Sequence, residues 1–146
     1  MLGYRFILDS SKNIYLTGYH SGGLHGNTSA GSLDIILIKY NTSGIRQWTK
    51  QLGTSGSEYG LGITLDNSSN IYVTGWTSGD LDGNTNSGGY DVFLTKYNFS
   101  GTKQWTKQFG TTSTDRGVSV ATDNSLAVYV TGETSGGLEG NSHSGY

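Results

Sequence analysis

The sequence predicts an all-β fold built from repeated four-stranded antiparallel sheets, and three observations carry that expectation. Residues 90–110 (YDVFLTKYNFSGTKQWTKQFG) nearly repeat residues 33–53 (LDIILIKYNTSGIRQWTKQLG), with Asp91, Trp105 and Gly110 each 57 positions after Asp34, Trp48 and Gly53. The same register runs through Asp9, Asp66 and Asp123, through Gly18, Gly75 and Gly132, and through Asn27, Asn84 and Asn141. Second, short runs rich in aromatic and β-branched residues are bounded by Gly, Asn and Ser, the pattern of strands and tight turns. Third, no apolar stripe of helical period persists along the chain. Periodicity on this scale marks a tandem array, whose units bury their apolar faces against one another.

The elements follow in order. In the first copy, residues 3–9 and 14–18 are strands joined by a turn at 10–13. Their counterparts are 62–66 and 71–76 in the second copy, then 117–123 and 127–132 in the third. A long polar loop follows each pair: HSGGLHGNTSAGS, TSGDLDGNTNSGG and TSGGLEGNSHSGY. Leu24, Leu81 and Leu138 stand alone in these loops and are expected to anchor them by tucking beneath. Gly26, Gly83 and Gly140 are expected where a Cβ would clash. Third strands run over 34–40 and 91–97, and fourth strands over 46–52 and 103–109. Within the fourth strand, a period of two separates Gln104, Thr106 and Gln108 from Trp105, Lys107 and Phe109. Trp48 and Trp105 are thus expected to be substantially buried between adjacent sheets.

A unit of four antiparallel strands over this length has the size of a β-propeller blade, with the glycine-rich first strand innermost. The expected organisation is a single array over 1–146, with blade 1 at 3–53, blade 2 at 60–110 and a partial blade 3 at 117–146. That is about two and a half blades per chain. A β-sandwich is the alternative, but it gives no reason for every turn to recur at one offset. Closed propellers have about 4 to 8 blades. Two and a half therefore imply either part of a larger ring or a homo-oligomer that completes one, since cyclic assembly satisfies repeated surfaces.

The segment GGYDVFLTKYNFSGTKQWTKQFG, preceded by YVTGWTSG, resembles the bacterial beta-propeller repeat family called the SBBP repeat. The resemblance spans nearly the whole chain. It implies a propeller, commonly predicted in large exported or surface bacterial proteins, with no defined catalytic residues. An extracellular or cell-surface location is the corresponding expectation. The opening MLGYRFILDS lacks the pattern of a signal peptide, so an export signal is expected on a longer parent.

Composition narrows the function classes. A net charge of -2 with 14% charged residues gives no basic surface for a nucleic-acid backbone. No apolar run approaches the ~18 residues of a membrane span. Without cysteine there is neither a disulfide nor a cysteine zinc site. The 24 glycines invite a disordered reading, which the 10 Tyr, 3 Trp and 4 Phe at regular positions oppose.

Candidate chemistry is sparse. Asp80, Asp82, Asn84 and Asn86, followed by Asp91, alternate acidic and amide oxygens as calcium ligands do. The simpler reading is a loop held by Asx-turns, because copy one carries His25 and copy three carries Glu139 and His143 in that stretch. No cofactor is expected beyond this weakly supported calcium. Asp34 and Asp91 open equivalent strands and suit structural hydrogen bonds to the preceding loop. His20, His25 and His143 share no repeat position, which argues against a common catalytic histidine. Paired carboxylates serve glycoside hydrolases, but no pair carries a feature that supplies the required separation. Tyr19, Trp76 and Glu133 are equivalent, and the two aromatics are candidate carbohydrate ligands, with interblade packing as the competing role. The sequence therefore reads as a non-catalytic scaffold or protein-interaction module. A carbohydrate-binding module is the alternative, and its partner is a protein or glycan that the sequence does not name.

Overall fold

The computed structural model describes residues 2–138 and 140–142. Strands β1 (Leu2–Leu8), β2 (Ile14–His20), β3 (Asp34–Tyr40) and β4 (Arg46–Leu52) form one antiparallel sheet in chain order. A second sheet repeats it with β5 (Glu58–Leu65), β6 (Ile71–Thr77), β7 (Asp91–Tyr97) and β8 (Lys103–Phe109). β9 (Asp115–Thr122) and β10 (Val128–Thr134) pair alone. Among the described residues there is no α-helix, only a single 3-10 turn at Leu81–Gly83.

Two side-chain devices make the tight turns. Between β5 and β6, Asp66 accepts the N–H groups of Ser68 and Asn70 on Oδ1, both at 2.9 Å. Its Oδ2 takes the Asn70 amide at 2.8 Å and the Tyr72 hydroxyl at 3.2 Å. Asp9 and Asp123 repeat much of this pattern. Between β3 and β4, and again between β7 and β8, Asn41 and Asn98 each accept two backbone N–H groups.

These turn carboxylates set an acid limit. Burial pushes Asp66 upward, but its hydrogen bonds from Asn70, Ser68 and Tyr72 outweigh that and hold it below the ordinary carboxylate value. A carboxyl depressed in the folded state stabilises the protein above its unfolded pKa and loses that contribution as pH falls through the folded value. Unfolding midpoints are thus expected to hold steady near neutrality and decline below about pH 4. D66N should be weaker than wild type at pH 7 and show a shallower acid slope; parallel slopes in a pH series of denaturant titrations would contradict this.

Each first strand lies on the preceding sheet. β5 packs on β1, β2 and β3, and β9 packs on β5, β6 and β7. The close approach needs glycine: a Cβ on Gly60 would meet Thr17 Oγ1 at 2.6 Å, and one on Gly117 would meet Thr74 Oγ1 at 2.7 Å. Arg5 of β1 reaches Ser119 of β9 at 3.5 Å, so the three first strands gather together. Serial stacking of this kind differs from a two-sheet sandwich, in which a third pair would have no place. Tyr15, Ile35, Leu37, Ile63, Ile71, Val73, Leu81, Phe93 and Tyr97 form the core.

Two expectations need correction. Gly26, Gly83 and Gly140 have nothing within 4 Å of a built Cβ; their φ values of +86°, +79° and +80° are the reason for glycine. β5 and β9 also begin earlier than expected, at Glu58 and Asp115, with β-bulges next to Gly60 in β5 and Gly117 in β9.

Candidate functional site

The oxygen-rich loop between β6 and β7 spends its groups on itself. Asp80 Oδ1 accepts the Asn86 N–H at 2.7 Å, and Asn86 Oδ1 accepts that of Gly88 at 2.8 Å. The Asn84 amide donates to the carbonyls of Leu81 and Thr106. Asp82 turns away to pair with Lys103. Burial pushes the Asp82 carboxyl up, but the hydrogen bonds from Lys103 and Thr106 and the Lys103 charge hold it below its usual range. Asp91 Oδ2 accepts from Ser87 N at 2.8 Å and from the Gln108 amide at 3.1 Å. The five residues therefore do not converge, and among the described residues no three His, Cys, Asp or Glu side chains form a metal-binding group. In the first copy His25 Nδ1 lies 2.9 Å from Thr49 Oγ1. Glu139 and His143 lie outside the described residues.

Tyr19 and Trp76 belong to a row of side chains that crosses the sheet junctions. Ring centroids are 4.4 Å apart for Tyr19 and Tyr59, 3.9 Å for Tyr59 and Trp76, and 4.3 Å for Trp76 and Tyr90. The Arg116 guanidinium then lies 5.7 Å from the Trp76 ring centre and 5.4 Å from that of Tyr90, and bonds Glu133 at 2.9 Å. Trp76 thus has three neighbours on its ring, and stacking of this kind adds about 0.5–1.5 kcal/mol per pair beyond burial. Sequence reasoning missed Tyr59, Tyr90 and Arg116. The available signal was the offset itself, which makes Tyr59 and Arg116 equivalent.

Trp48 and Trp105 are both half-buried. Trp48 packs on the core, meets Tyr15 edge-on at 6.1 Å and lies against Gly101 in the following sheet. Trp105 lies 6.1 Å from Tyr72, and among the described residues the following sheet holds only β9 and β10, without a third-to-fourth-strand turn like the one that meets Trp48. Leu81 is fully buried within the core, whereas Leu24 and Leu138 are half-buried. Asp34 is buried, and its Oδ2 accepts from Ala30 N at 3.0 Å and from the Gln51 amide at 2.6 Å, matching Asp91 in the next sheet.

Comparison with known proteins completes the picture. A family model described as the SBBP beta-propeller repeat matches residues 47–82 and 104–139. The chain carries SBBP beta-propeller repeats at these positions. Each matched SBBP segment starts in a fourth strand and runs through the first two strands of the next sheet, so it spans a junction rather than a single sheet. The chain is 34% identical over 93 residues to an uncharacterized WD repeat-containing protein of Acanthamoeba polyphaga mimivirus, covering 56% of this chain and 7% of that protein. It is 28% identical over 125 residues to the regulatory protein FlaEY of Caulobacter vibrioides, covering 80% of this chain and 13% of that one. The SBBP chain thus spans a small fraction of the length of both relatives. No helix among its described residues is long and apolar enough to cross a membrane.

Proposed function

We propose that this chain is a non-catalytic interaction scaffold whose SBBP blades are completed by further blades, through self-association into a homo-oligomer. The observation that carries the reading is a comparison of equivalent positions. Ile63 and Val120 are 5% and 7% exposed, yet Phe6, their counterpart in β1, is 63% exposed. At the other end Tyr15 and Tyr72 are 0% and 3% exposed, while Tyr129 is 56% exposed. One residue position is thus core where a neighbouring sheet or the later strands of its own sheet cover it, and surface where they do not. Leu2, Tyr4 and Leu8 join Phe6 on β1, giving an apolar face of the kind that marks association. The repeat family and the WD-repeat description of one relative support an array that acts by contact.

Light scattering across a dilution series tests this directly. A mass above the 15.6 kDa of one chain, falling on dilution, is expected. F6D should shift the equilibrium toward smaller species by placing an unpaired charge on the contact face. A monomer at every concentration, with slow amide exchange in both end sheets, would overturn the assembly. Turnover abolished by a single substitution would overturn the non-catalytic reading.

A further inference from the structure

Four carboxylates are shut away at the two sheet junctions: Asp34, Glu58 and Asp91 are 0% exposed and Asp115 is 1% exposed. They come as two pairs, each uniting the first residue of a third strand with the first residue of the following sheet. A Cβ on Gly53 would fall 2.0 Å from Asp34 Oδ1 and 2.9 Å from Glu58 Oε2. A Cβ on Gly110 would fall 2.4 Å from Asp91 Oδ1 and 3.0 Å from Asp115 Oδ2. Two acids from adjacent sheets thus meet over one glycine, and the arrangement occurs twice.

Their hydrogen bonding leaves specific atoms over. Glu58 uses both oxygens as acceptors, from Thr54 N at 2.7 Å, Thr54 Oγ1 at 2.6 Å and Thr77 Oγ1 at 2.8 Å. Asp115 Oδ2 accepts from Thr111 N and Oγ1. Buried Oδ1 atoms of Asp34, Asp91 and Asp115 have no hydrogen-bond donor. Among the described residues the ion pairs are Lys103 with Asp82 and Arg116 with Glu133, so no cationic side chain offsets the four acids. Two carboxyl groups withheld from water together either share a proton or are balanced by a counter-charge.

We propose that each junction binds one hard divalent cation of the calcium class, between Asp34 and Glu58 at the first and between Asp91 and Asp115 at the second. Such cations take oxygen ligands at about 2.3–2.6 Å and complete their shell with water, hydroxyl and carbonyl oxygens. A polar depression lined by Gly53, Thr54, Ser55, Ser78 and Gly79 lies above the first pair on the side of Thr54, which donates to Glu58. With two carboxylates per site, affinity falls in the weak class, Kd about 10⁻⁴–10⁻³ M. The cation would tie successive sheets together, and this stands apart from any question of oligomer or partner.

The test is thermal unfolding of the wild-type chain in calcium chloride, beside sodium chloride of equal ionic strength, with terbium luminescence as a direct binding readout. A calcium-specific rise in Tm, saturating in the millimolar range, is expected. E58Q and D115N keep the size of each acid and should each remove part of the shift, and the double variant all of it. If a variant fails to fold, calcium displacement of terbium sensitised by the wild-type aromatics still decides the matter. Equal shifts in both salts, an undiminished shift in the double variant, or no terbium signal would overturn the proposal. So would stabilisation on mild acidification without any calcium response, which would assign the pairs a shared proton instead.

Discussion

G75A is expected to destroy the second sheet. A Cβ on Gly75 would lie 1.7 Å from the carbonyl oxygen of Tyr59 and 3.0 Å from Phe93 Cε1. The first obstacle is main chain, so no side-chain rotation relieves it. β5 cannot withdraw either, because it is held between the sheet of β1–β3 on one side and β9 on the other. A loss of about 4 kcal/mol or more is expected, a large fraction of the roughly 5–15 kcal/mol that stabilises a domain. G83A is the matched control: nothing lies within 4 Å of its Cβ, and only the +79° φ resists, at about 1 kcal/mol. Gly18 and Gly132 face the same carbonyl, from Leu2 at 2.0 Å and Arg116 at 1.9 Å. G18A should be milder than G75A, since among the described residues β1 is not held between two sheets as β5 is. Denaturant titration followed by circular dichroism ranks the three, and equal midpoints for G75A and G83A would contradict the assignment.

That glycine shows how far the sequence could be read. Its recurrence at one offset was visible, but the carbonyl that requires it was not, because a β-bulge between Gly60 and Gly62 brings it there. The third strands, DIILIKY and DVFLTKY, were legible as short apolar runs bounded by turn residues, and the fourth strand at 103–109 because period two separates its faces. The start of β5 was not. Two glycines within EYGLG, and the DRG that opens β9, lower strand propensity, so Glu58, Tyr59, Asp115 and Arg116 carry little local strand signal. Those four residues make the junction between sheets, where the buried acid pairs and the aromatic row lie. Positions that act across a junction carry no local signature; the repeat offset alone links them. Of the three lone leucines only Leu81 is fully buried, while Leu24 and Leu138 at equivalent positions are half-buried, so the loop sequence alone does not fix how deeply the residue tucks in.

Trp48 and Trp105 separate the contribution of a strand from that of its neighbour. They are equivalent, each has a tyrosine ring 6.1 Å away at an interplanar angle of 60°, and each sits on a fourth strand. Trp48 also meets the third-to-fourth-strand turn of the following sheet, which the β9–β10 pair lacks among the described residues: a Cβ on Gly101 would lie 3.0 Å from its Cε2, and the ring packs on the core. W48A therefore removes an aromatic enclosed on two sides and should cost about 3–5 kcal/mol. W105A loses contact with its own sheet only and should cost about 1–2 kcal/mol, in proportion to the smaller area withdrawn from water. T106A, which gives up a hydroxyl contact of 3.0 Å with Thr95, should cost about 1 kcal/mol or less. The series belongs at low protein concentration, because a second chain seated beyond β8 would cover Trp105 as β5–β8 cover Trp48. Raising the concentration should then narrow the gap between W48A and W105A. Equal unfolding midpoints for those two variants in dilute solution would show that the following sheet contributes nothing to Trp48.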